Sequence, residues 1–476
     1  MDKKVIKNYL YNLGYQVLII ILPLITTPYV SRVLGAKGIG TYGYTNSITQ
    51  YFILFGCIGL NLYGQREIAY YQKDIEKRSK VFFELLLLRI ITVSISIVLY
   101  YFTFCQNATY GYIFSIQIID VIASMFDISW LYQGMEDFKK IVVRNTLVKI
   151  CGLIIIFMFV KSPADLPIYV LSYSATLLLG NLSMWMYLPK FVKKVSLKYL
   201  NIQKHLKPTI VLFLPQIATS IYTMLDKTMI GALTNNTAEV GYYEQSQKLI
   251  KMAMTLATSL GTVMLPRVAN LFKEGKIEEV KESMYSSFRF ISFLTFPICL
   301  GLIGITKGFV PWFFGAGYDK VVLNMIMIAP IIIIIGYSNV IGTQFLLPTG
   351  RQKQYTISVC AGTVVNLVFN LILIPHFLSY GAAIATVVAE MSVTFIQILF
   401  TRNIFSYKYI LKLIYKYIIA SAIMLISLLI VGNIFSSGII STVIEIGIGA
   451  IVYLIILLVL KDETIKNVIS KRRREG

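Results

Sequence analysis

The sequence has few charged residues, and this shortage excludes an ordinary soluble protein. Only 14% of the 476 residues are Asp, Glu, Lys or Arg, whereas 57% are hydrophobic, and the mean hydropathy is +0.71. Soluble chains carry about a quarter charged residues. Many apolar runs also exceed the ~18–20 residues that an α-helix needs to cross a bilayer. The chain is therefore predicted to be an all-α integral membrane protein.

Groups that support enzyme chemistry are also scarce. The chain has only two histidines, His205 and His376, and its five cysteines are scattered through apolar segments without metal-ligand spacing. The stretch "GLIGITKG" (301–308) lacks the spacing of a phosphate-binding loop, and no nucleophile elbow occurs. These absences argue against a metal centre, a cofactor and an ATP-driven pump. The sequence predicts a protein that is not an enzyme.

The hydropathy pattern predicts fourteen transmembrane helices. Because fourteen is an even number, both termini are expected on the same side of the membrane. The predicted spans are 10–32, 41–63, 81–104, 110–134, 141–160, 167–189, 208–233, 239–265, 285–310, 321–346, 355–375, 380–401, 412–433 and 438–460.

Acidic residues are outnumbered by basic ones, 23 to 44, which gives a net charge of +21. Most of the basic residues fall in the N-terminal segment, alternate loops and the C-terminal tail. This bias predicts cytoplasmic termini, and the tail "SKRRREG" (470–476) fits an anionic inner leaflet better than nucleic acid. The opposite loops hold only Arg32, Lys37, Lys161, Lys307 and Lys320.

The two halves of the chain echo each other at offsets near 200 residues. The stretch "LPLITTPYVSRVLGAKGIGTYGY" (22–44) resembles "LPQIATSIYTMLDKTMIGALTNNTAEVGYY" (214–243), and Arg89 falls against Arg289. The repeat predicts two six-helix lobes, 1–200 and 201–405, followed by two additional spans and a basic tail, 406–476. Repeats of this kind are typical of transporters whose site lies between the lobes near the midplane.

Cations within the spans are the predicted substrate-binding groups. Polar groups inside a bilayer turn toward protein or water, because exposure to lipid costs several kcal/mol or more. Two alternatives to substrate binding remain open. Glu244 and Lys248 could form an ion pair along one helix, and Arg89 and Arg289 could anchor the helices to lipid headgroups. The excess of cations over acids points to an anionic cargo. The candidate cavity cations are Arg32, Lys227, Lys248, Lys251, Arg89 and Arg289.

Acidic residues within the spans are candidates for ion coupling or gating. Asp127 is expected to meet Arg144 or Lys149 at a similar depth across the hairpin of spans 4 and 5. The alternative interpretation is a set of interhelical ion pairs that only hold a lobe together. The candidates are Asp226, Glu390, Asp127 and Glu244.

Three stretches carry a resemblance to a known family: "PYVSRVLGAKGIGTYGY" (28–44), "MLDKTMIGALTNNTAEVGYYEQSQKL" (224–249) and "LGTVMLPRVANLFKEGK" (260–276). With them the chain resembles Wzx-type polysaccharide flippases of the multidrug/oligosaccharidyl-lipid/polysaccharide (MOP) exporter superfamily. The resemblance implies two six-helix lobes in a V around a cationic central cavity, plus two C-terminal helices.

The same resemblance implies a cargo and partners. The cargo is an oligosaccharide repeat unit on undecaprenyl pyrophosphate, turned from the cytoplasmic to the outer leaflet of a bacterial plasma membrane for capsule, exopolysaccharide or O-antigen synthesis. Alternating access coupled to H⁺ or Na⁺ is the implied mechanism. The implied partners are membrane lipids and the polymerase and glycosyltransferases of the same pathway, and not nucleic acid.

Four other functions predict different features of the sequence. "SRVLG" (31–35) also resembles peptidoglycan lipid II flippases, whose arginine at the position of Arg32 is an essential cavity cation. A multidrug antiporter is disfavoured, because no acidic residue lies between Tyr9 and Thr41. A glycan polymerase or ligase should show a long outer loop and no repeat. A structural scaffold would not need Lys251 or Glu390.

Overall fold

The computed structural model describes residues 3–196, 198 and 200–462. Side chains are described over the same residues except 3–20, 214–216, 218–219, 221–222, 256–257 and 259–263. Within this part of the chain all regular structure is helical, which confirms the all-α prediction. The predicted basic tail, 470–476, lies outside the described residues.

Sixteen α-helices follow one another along the described chain. Short 3-10 or π turns extend some of their ends. The helices are α1 Lys3–Cys57, α2 Leu60–Tyr70, α3 Ile75–Tyr100, α4 Gly111–Met125, α5 Ser129–Gly134, α6 Phe138–Phe159, α7 Leu166–Trp185, α8 Gln203–Thr234, α9 Thr237–Lys273, α10 Ile277–Phe314, α11 Asp319–Ile328, α12 Ile331–Ser338, α13 Gln352–Phe377, α14 Ser379–Thr401, α15 Tyr407–Gly432 and α16 Ile439–Val459.

Ten helical stretches in the searched, described part of the chain are long and apolar enough to cross a membrane. They coincide with ten of the predicted spans, the third to sixth and the ninth to fourteenth. The other four predicted spans fall on α1, α8 and α9, so the total of fourteen remains a prediction.

The first two predicted spans run together in α1, which is bent at Gly35. This residue has φ 66° and ψ 174°, a left-handed conformation that glycine adopts without a Cβ clash. A second glycine, Gly59, has φ 76° and separates α1 from the short helix α2. The predicted second span, 41–63, therefore covers the end of α1 and the start of α2.

The fourth predicted span of each half is interrupted. In the first half α4 ends at Met125 and α5 begins at Ser129; in the second, α11 ends at Ile328 and α12 begins at Ile331. Pro330 explains the second break, because its ring removes a backbone N–H. Interrupted helices at matching positions of two halves are typical of transporter binding regions.

The chain forms two compact units, Met1–Gly231 and Ala232–Gly476. The boundary lies inside α8 because most of this helix packs on the first unit: Thr228 Oγ1 lies 2.8 Å from Ser47 Oγ of α1. In the second unit α15 and α16 pack against α10, where Tyr453 donates to the carbonyl of Phe293 at 2.8 Å. The predicted division at residues 200 and 405 stays a prediction.

Close helix contacts in the first unit require a small residue at Gly64 of α2. A Cβ at this position would lie 2.6 Å from the ring of Trp130, which is 1% exposed and stacked on Phe82 with ring centroids 5.3 Å apart. The indole therefore has little freedom to move aside.

We predict that Gly64→Ala destabilises the protein by about 1–3 kcal/mol through overpacking. The measurement is thermal unfolding of the purified protein in detergent. Gly447→Ala is the matched control, since nothing lies within 4 Å of a Cβ built there in α16; its stability should stay equal or rise. Equal melting temperatures for the two variants would contradict the packing argument.

Candidate functional site

A buried arginine contacts the interrupted span of the first unit. Arg89 of α3 is 1% exposed. Its guanidinium donates to Asn61 Oδ1 at 2.9 Å, to the carbonyl of Asp127 at 2.7 Å and to Cys57 Sγ at 3.3 Å. The break between α4 and α5 frees this carbonyl, and Trp185 donates to the neighbouring carbonyl of Phe126 at 2.8 Å. The interruption is thus satisfied by side chains, as a bilayer requires.

The carboxylate of Asp127 meets a second cation. Arg144 Nη1 of α6 lies 3.9 Å from Asp127 Oδ1 and also donates to Asn181 of α7. Asn181 in turn donates to the carbonyl of Ala123 at 2.7 Å. The sequence predicted that Asp127 meets Arg144 or Lys149, and the structure shows Arg144 as a partner. We call Cys57, Asn61, Arg89, Asp127, Arg144 and Asn181 the Arg89 cluster.

The Arg89 cluster carries more positive than negative charge. It contains two guanidinium groups and one carboxylate, and among the described residues the Nε–H groups of Arg89 and Arg144 are buried without a hydrogen-bond partner. Burying net charge costs several kcal/mol. The cluster therefore retains donors that an anion or water could use.

The adjacent charges of α8 sit where that helix contacts α1. Asp226 is 5% exposed and Lys227 is half-buried. One turn further on, Gly231 allows close approach to Tyr44 of α1, whose ring would lie 2.1 Å from a Cβ. The structure thus places Asp226 inside protein rather than against lipid, as expected for an intramembrane acid.

Arg32 lies on α1, three residues before the bend at Gly35, and its side chain is exposed. Its neighbours Ser31 and Leu34 are buried at 1% and 3% exposure. Arg32 therefore projects from the side of α1 that the described protein leaves uncovered. The predicted cations of the first unit are thus spread over α1, α3 and α8.

In the second unit, α9 has a buried face and a more accessible polar face. Tyr243, Ser246 and Ile250 are buried, and Tyr243 Oη lies 2.8 Å from Thr386 Oγ1 of α14. The charged residues predicted within this helix lie on the more accessible face, as the 100° helical spacing implies. Of these, Glu244 and Lys248 are half-buried and Lys251 is exposed.

The remaining two candidates lie on other helices of the second unit. Glu390 of α14 and Arg289 of α10 are half-buried. Arg289 thus differs in burial from Arg89, its predicted counterpart. Within the described residues no group of three or more His, Cys, Asp or Glu could hold a metal ion.

A charge network at the start of α8 was not predicted from the sequence. Glu84 is fully buried and accepts hydrogen bonds from the Asn201 N–H at 2.8 Å, Lys204 Nζ at 2.7 Å and His205 Nε2 at 2.9 Å. Tyr63 Oη lies 2.8 Å from His205 Nδ1. The signal was present as a lone acid in "VFFELLLLR" (81–89), but its partners lie over a hundred residues away.

A similar network ties the second unit together. Glu239 of α9 is 1% exposed, pairs with Lys320 of α11 and accepts from Ser379 Oγ of α14 at 2.6 Å. Asn324 donates to the same hydroxyl at 3.1 Å. Both networks join side chains of different helices around a buried acid, so they stabilise the packing within each unit.

Solved structures show which fold this is. A lipid II flippase MurJ in an inward closed conformation matches with a TM-score of 0.78 and 18% identity, over 97% of this chain and 100% of that one. An inward-facing multidrug resistance MATE family transporter of the MOP superfamily matches with a TM-score of 0.62 and 13% identity, over 85% and 98%. The fold is that of the MOP exporters, a class of multi-span membrane transporters.

Sequence comparison gives the family. The chain matches the family described as polysaccharide biosynthesis protein over residues 5–272, more than half its length, and belongs to it. It is 24% identical to a candidate O-antigen transporter of Escherichia coli (strain K12), over 83% of this chain and 96% of that protein. Lipid II flippase MurJ of Bacillus subtilis (strain 168) is 26% identical over 39% of this chain and 35% of its own length.

These matches confirm the predicted resemblance to Wzx-type polysaccharide flippases of the MOP superfamily. The named relatives are transporters and flippases rather than enzymes, in agreement with the sequence prediction.

We predict that Arg89→Gln lowers the free energy of unfolding by about 2–3 kcal/mol, because it removes charge-assisted hydrogen bonds at buried acceptors. Arg289→Gln, at a half-buried site, should cost less than about 1 kcal/mol. Thermal unfolding in detergent compares the two. Equal stability of Arg89→Gln and the wild-type chain would contradict this structural role.

Proposed function

We propose that the chain is a flippase for oligosaccharide repeat units carried on undecaprenyl pyrophosphate. It turns them from the cytoplasmic to the outer leaflet of a bacterial plasma membrane for capsule, exopolysaccharide or O-antigen assembly. The family match and the near full-length similarity to a candidate O-antigen transporter carry this proposal. The bias of basic residues supports cytoplasmic termini.

The energetics favour outward movement of such a cargo. A pyrophosphate bears about two negative charges, and each moves outward across an inside-negative potential of 100 mV with a gain of about 2.3 kcal/mol. The barrier is desolvation of the phosphates in hydrocarbon. Cationic side chains along the path lower this barrier. We assign that role to Arg32, Lys227, Lys248, Lys251, Arg89 and Arg289.

Transport proceeds by alternating access of two six-helix lobes, arranged in a V around a cationic cavity and coupled to H⁺ or Na⁺. Asp226, Glu390, Asp127 and Glu244 are the proposed coupling and gating groups. The burial of Asp226 and the position of Asp127 at the interrupted span support this assignment. Membrane lipids and the polymerase and glycosyltransferases of the same pathway are the proposed partners.

A second candidate cargo is the peptidoglycan precursor lipid II. The fold similarity to lipid II flippase MurJ favours it, as does the motif "SRVLG" (31–35). The multidrug exporters share the fold at a lower TM-score and lack support from the intramembrane charges.

We predict that the purified chain, reconstituted in vesicles, moves an undecaprenyl-pyrophosphate-linked oligosaccharide between leaflets faster than it moves lipid II. A fluorescent sugar label that an external enzyme removes reports the exposed fraction. An imposed pH or Na⁺ gradient should change the rate and so identify the coupling ion. Equal rates with protein-free vesicles would overturn the proposal, and preference for lipid II would favour the second candidate.

We predict that Arg32→Ala and Lys251→Ala each abolish surface polymer in a strain that lacks its own flippase, because both remove a cation from the cargo's path. Lys273→Ala is the matched control; this exposed lysine lies in the last turn of α9, about 33 Å along the helix from Lys251. Surface polymer is measured by immunoblot beside the amount of membrane protein. Normal polymer in both variants would remove these residues from the site.

A further inference from the structure

A groove runs between α9 and α10 in the second unit. Its cavity measures about 330 Å³. Two side chains of α9 line it, Met264 and Arg267. The lining residues of α10 recur at steps of three and one, so they occupy one face of that helix. These residues are Glu279, Glu282, Ser283, Ser286, Ser287 and Phe290.

The chemistry of the groove changes with depth. Helix α9 ends at Lys273 and α10 begins at Ile277, so depth can be counted from the same end at 1.5 Å per residue. Glu279 lies at the mouth, and Arg267 lies roughly 9 Å inside, near Glu282 and Ser283. Met264 lies about 14 Å inside and Phe290 about 20 Å. The side chains that line the groove are thus charged near the mouth, include serine hydroxyls at intermediate depth and end with the aromatic ring of Phe290.

Ser287 carries a hydroxyl that the fold does not use. It is 2% exposed, and its Oγ has no hydrogen-bond partner in the described part of the chain. Other hydroxyls of α10 bond back to their own helix, as Ser292 does to the carbonyl of Phe288 at 2.6 Å. A buried polar group left unpaired costs about 1–3 kcal/mol. Its place in the wall of a cavity indicates a ligand that supplies the missing bond.

Arg267 offers an available charge at the same groove. It is exposed, and no ion pair or hydrogen bond within the described residues engages its guanidinium. Glu282 is also exposed, and Glu279 Oε1 lies 3.8 Å from Lys276 Nζ. The groove therefore combines an anion-binding cation, hydroxyl-accepting carboxylates and an apolar end.

We infer that this groove is a loading site for the headgroup of the lipid-linked oligosaccharide on its way into the transporter. In it Glu279 and Glu282 accept hydrogen bonds from sugar hydroxyls, and Arg267 and Ser287 donate to phosphate oxygens. Phe290, the deepest lining residue, contacts the first isoprene unit. The order of these groups follows the order of sugar, phosphate and prenyl chain at a membrane surface. The inference rests on the proposed function and on cytoplasmic termini.

The test measures binding of lipids to the full chain in detergent by native mass spectrometry. The probes are a polyprenyl-pyrophosphate-linked oligosaccharide, phosphatidylethanolamine and phosphatidylglycerol. Arg267→Gln and Ser287→Ala should each weaken binding of the glycan lipid about tenfold, since each removes one donor to a charged oxygen. The control Arg402→Gln changes the same charge at the exposed end of α14, outside the groove, and should leave affinity unchanged.

The remaining outcomes separate the inference from the proposed function. Ser287→Ala should not lower the melting temperature, because the hydroxyl has no partner; a lower value would show a structural role and overturn the inference. An equal loss of phosphatidylethanolamine binding would overturn the glycan assignment. Unchanged affinity in both groove variants would overturn the loading site, while flipping by the wild-type chain in vesicles would leave the proposed function standing.

Discussion

The cost of leaving a polar group unsatisfied in hydrocarbon governs this structure. Wherever a helix is interrupted, the freed carbonyls need donors, and wherever a charge enters a span it needs partners. Arg89 contributes to both requirements through Asp127. It donates to the carbonyl of this residue, which the break before α5 frees, and it therefore lies beside a residue that carries a carboxylate. The break between α4 and α5 therefore depends on a residue from a third helix.

The interruptions of the two units involve different residues. In the first unit the Arg89 cluster surrounds the break, whereas in the second Pro330 lacks a backbone N–H and a π turn follows at 339–346. Each unit also contains one buried acid, Glu84 or Glu239, that binds side chains of other helices. Under the proposed function, polar groups in the middle of the spans serve the cargo.

For the proposed cargo, the distribution of charge suggests a sequence of environments. A lipid-linked glycan first meets the loading groove between α9 and α10, where carboxylates, hydroxyls and one arginine accompany an apolar end. The cations proposed for the membrane path lie on α1, α3, α8, α9 and α10. In this arrangement one set of side chains recognises the sugar and another lowers the desolvation barrier of the phosphates. Such a division would let one transporter favour its own glycan.

By itself the sequence determined the class: long apolar runs with few charges require membrane helices, and ten predicted spans coincide with apolar helices of the described chain. It also predicted that Asp127 meets a cation, since hairpin geometry sets depth along two neighbouring helices. Only the tertiary structure decided the rest. The pairing of Asp127 with Arg144 depends on contacts between distant segments, and so does the network of Glu84 with Lys204 and His205. The same contacts bury Arg89, whereas Arg32 stays accessible. Hydropathy is a local property of the chain, whereas the partner of a charge is set by how helices pack.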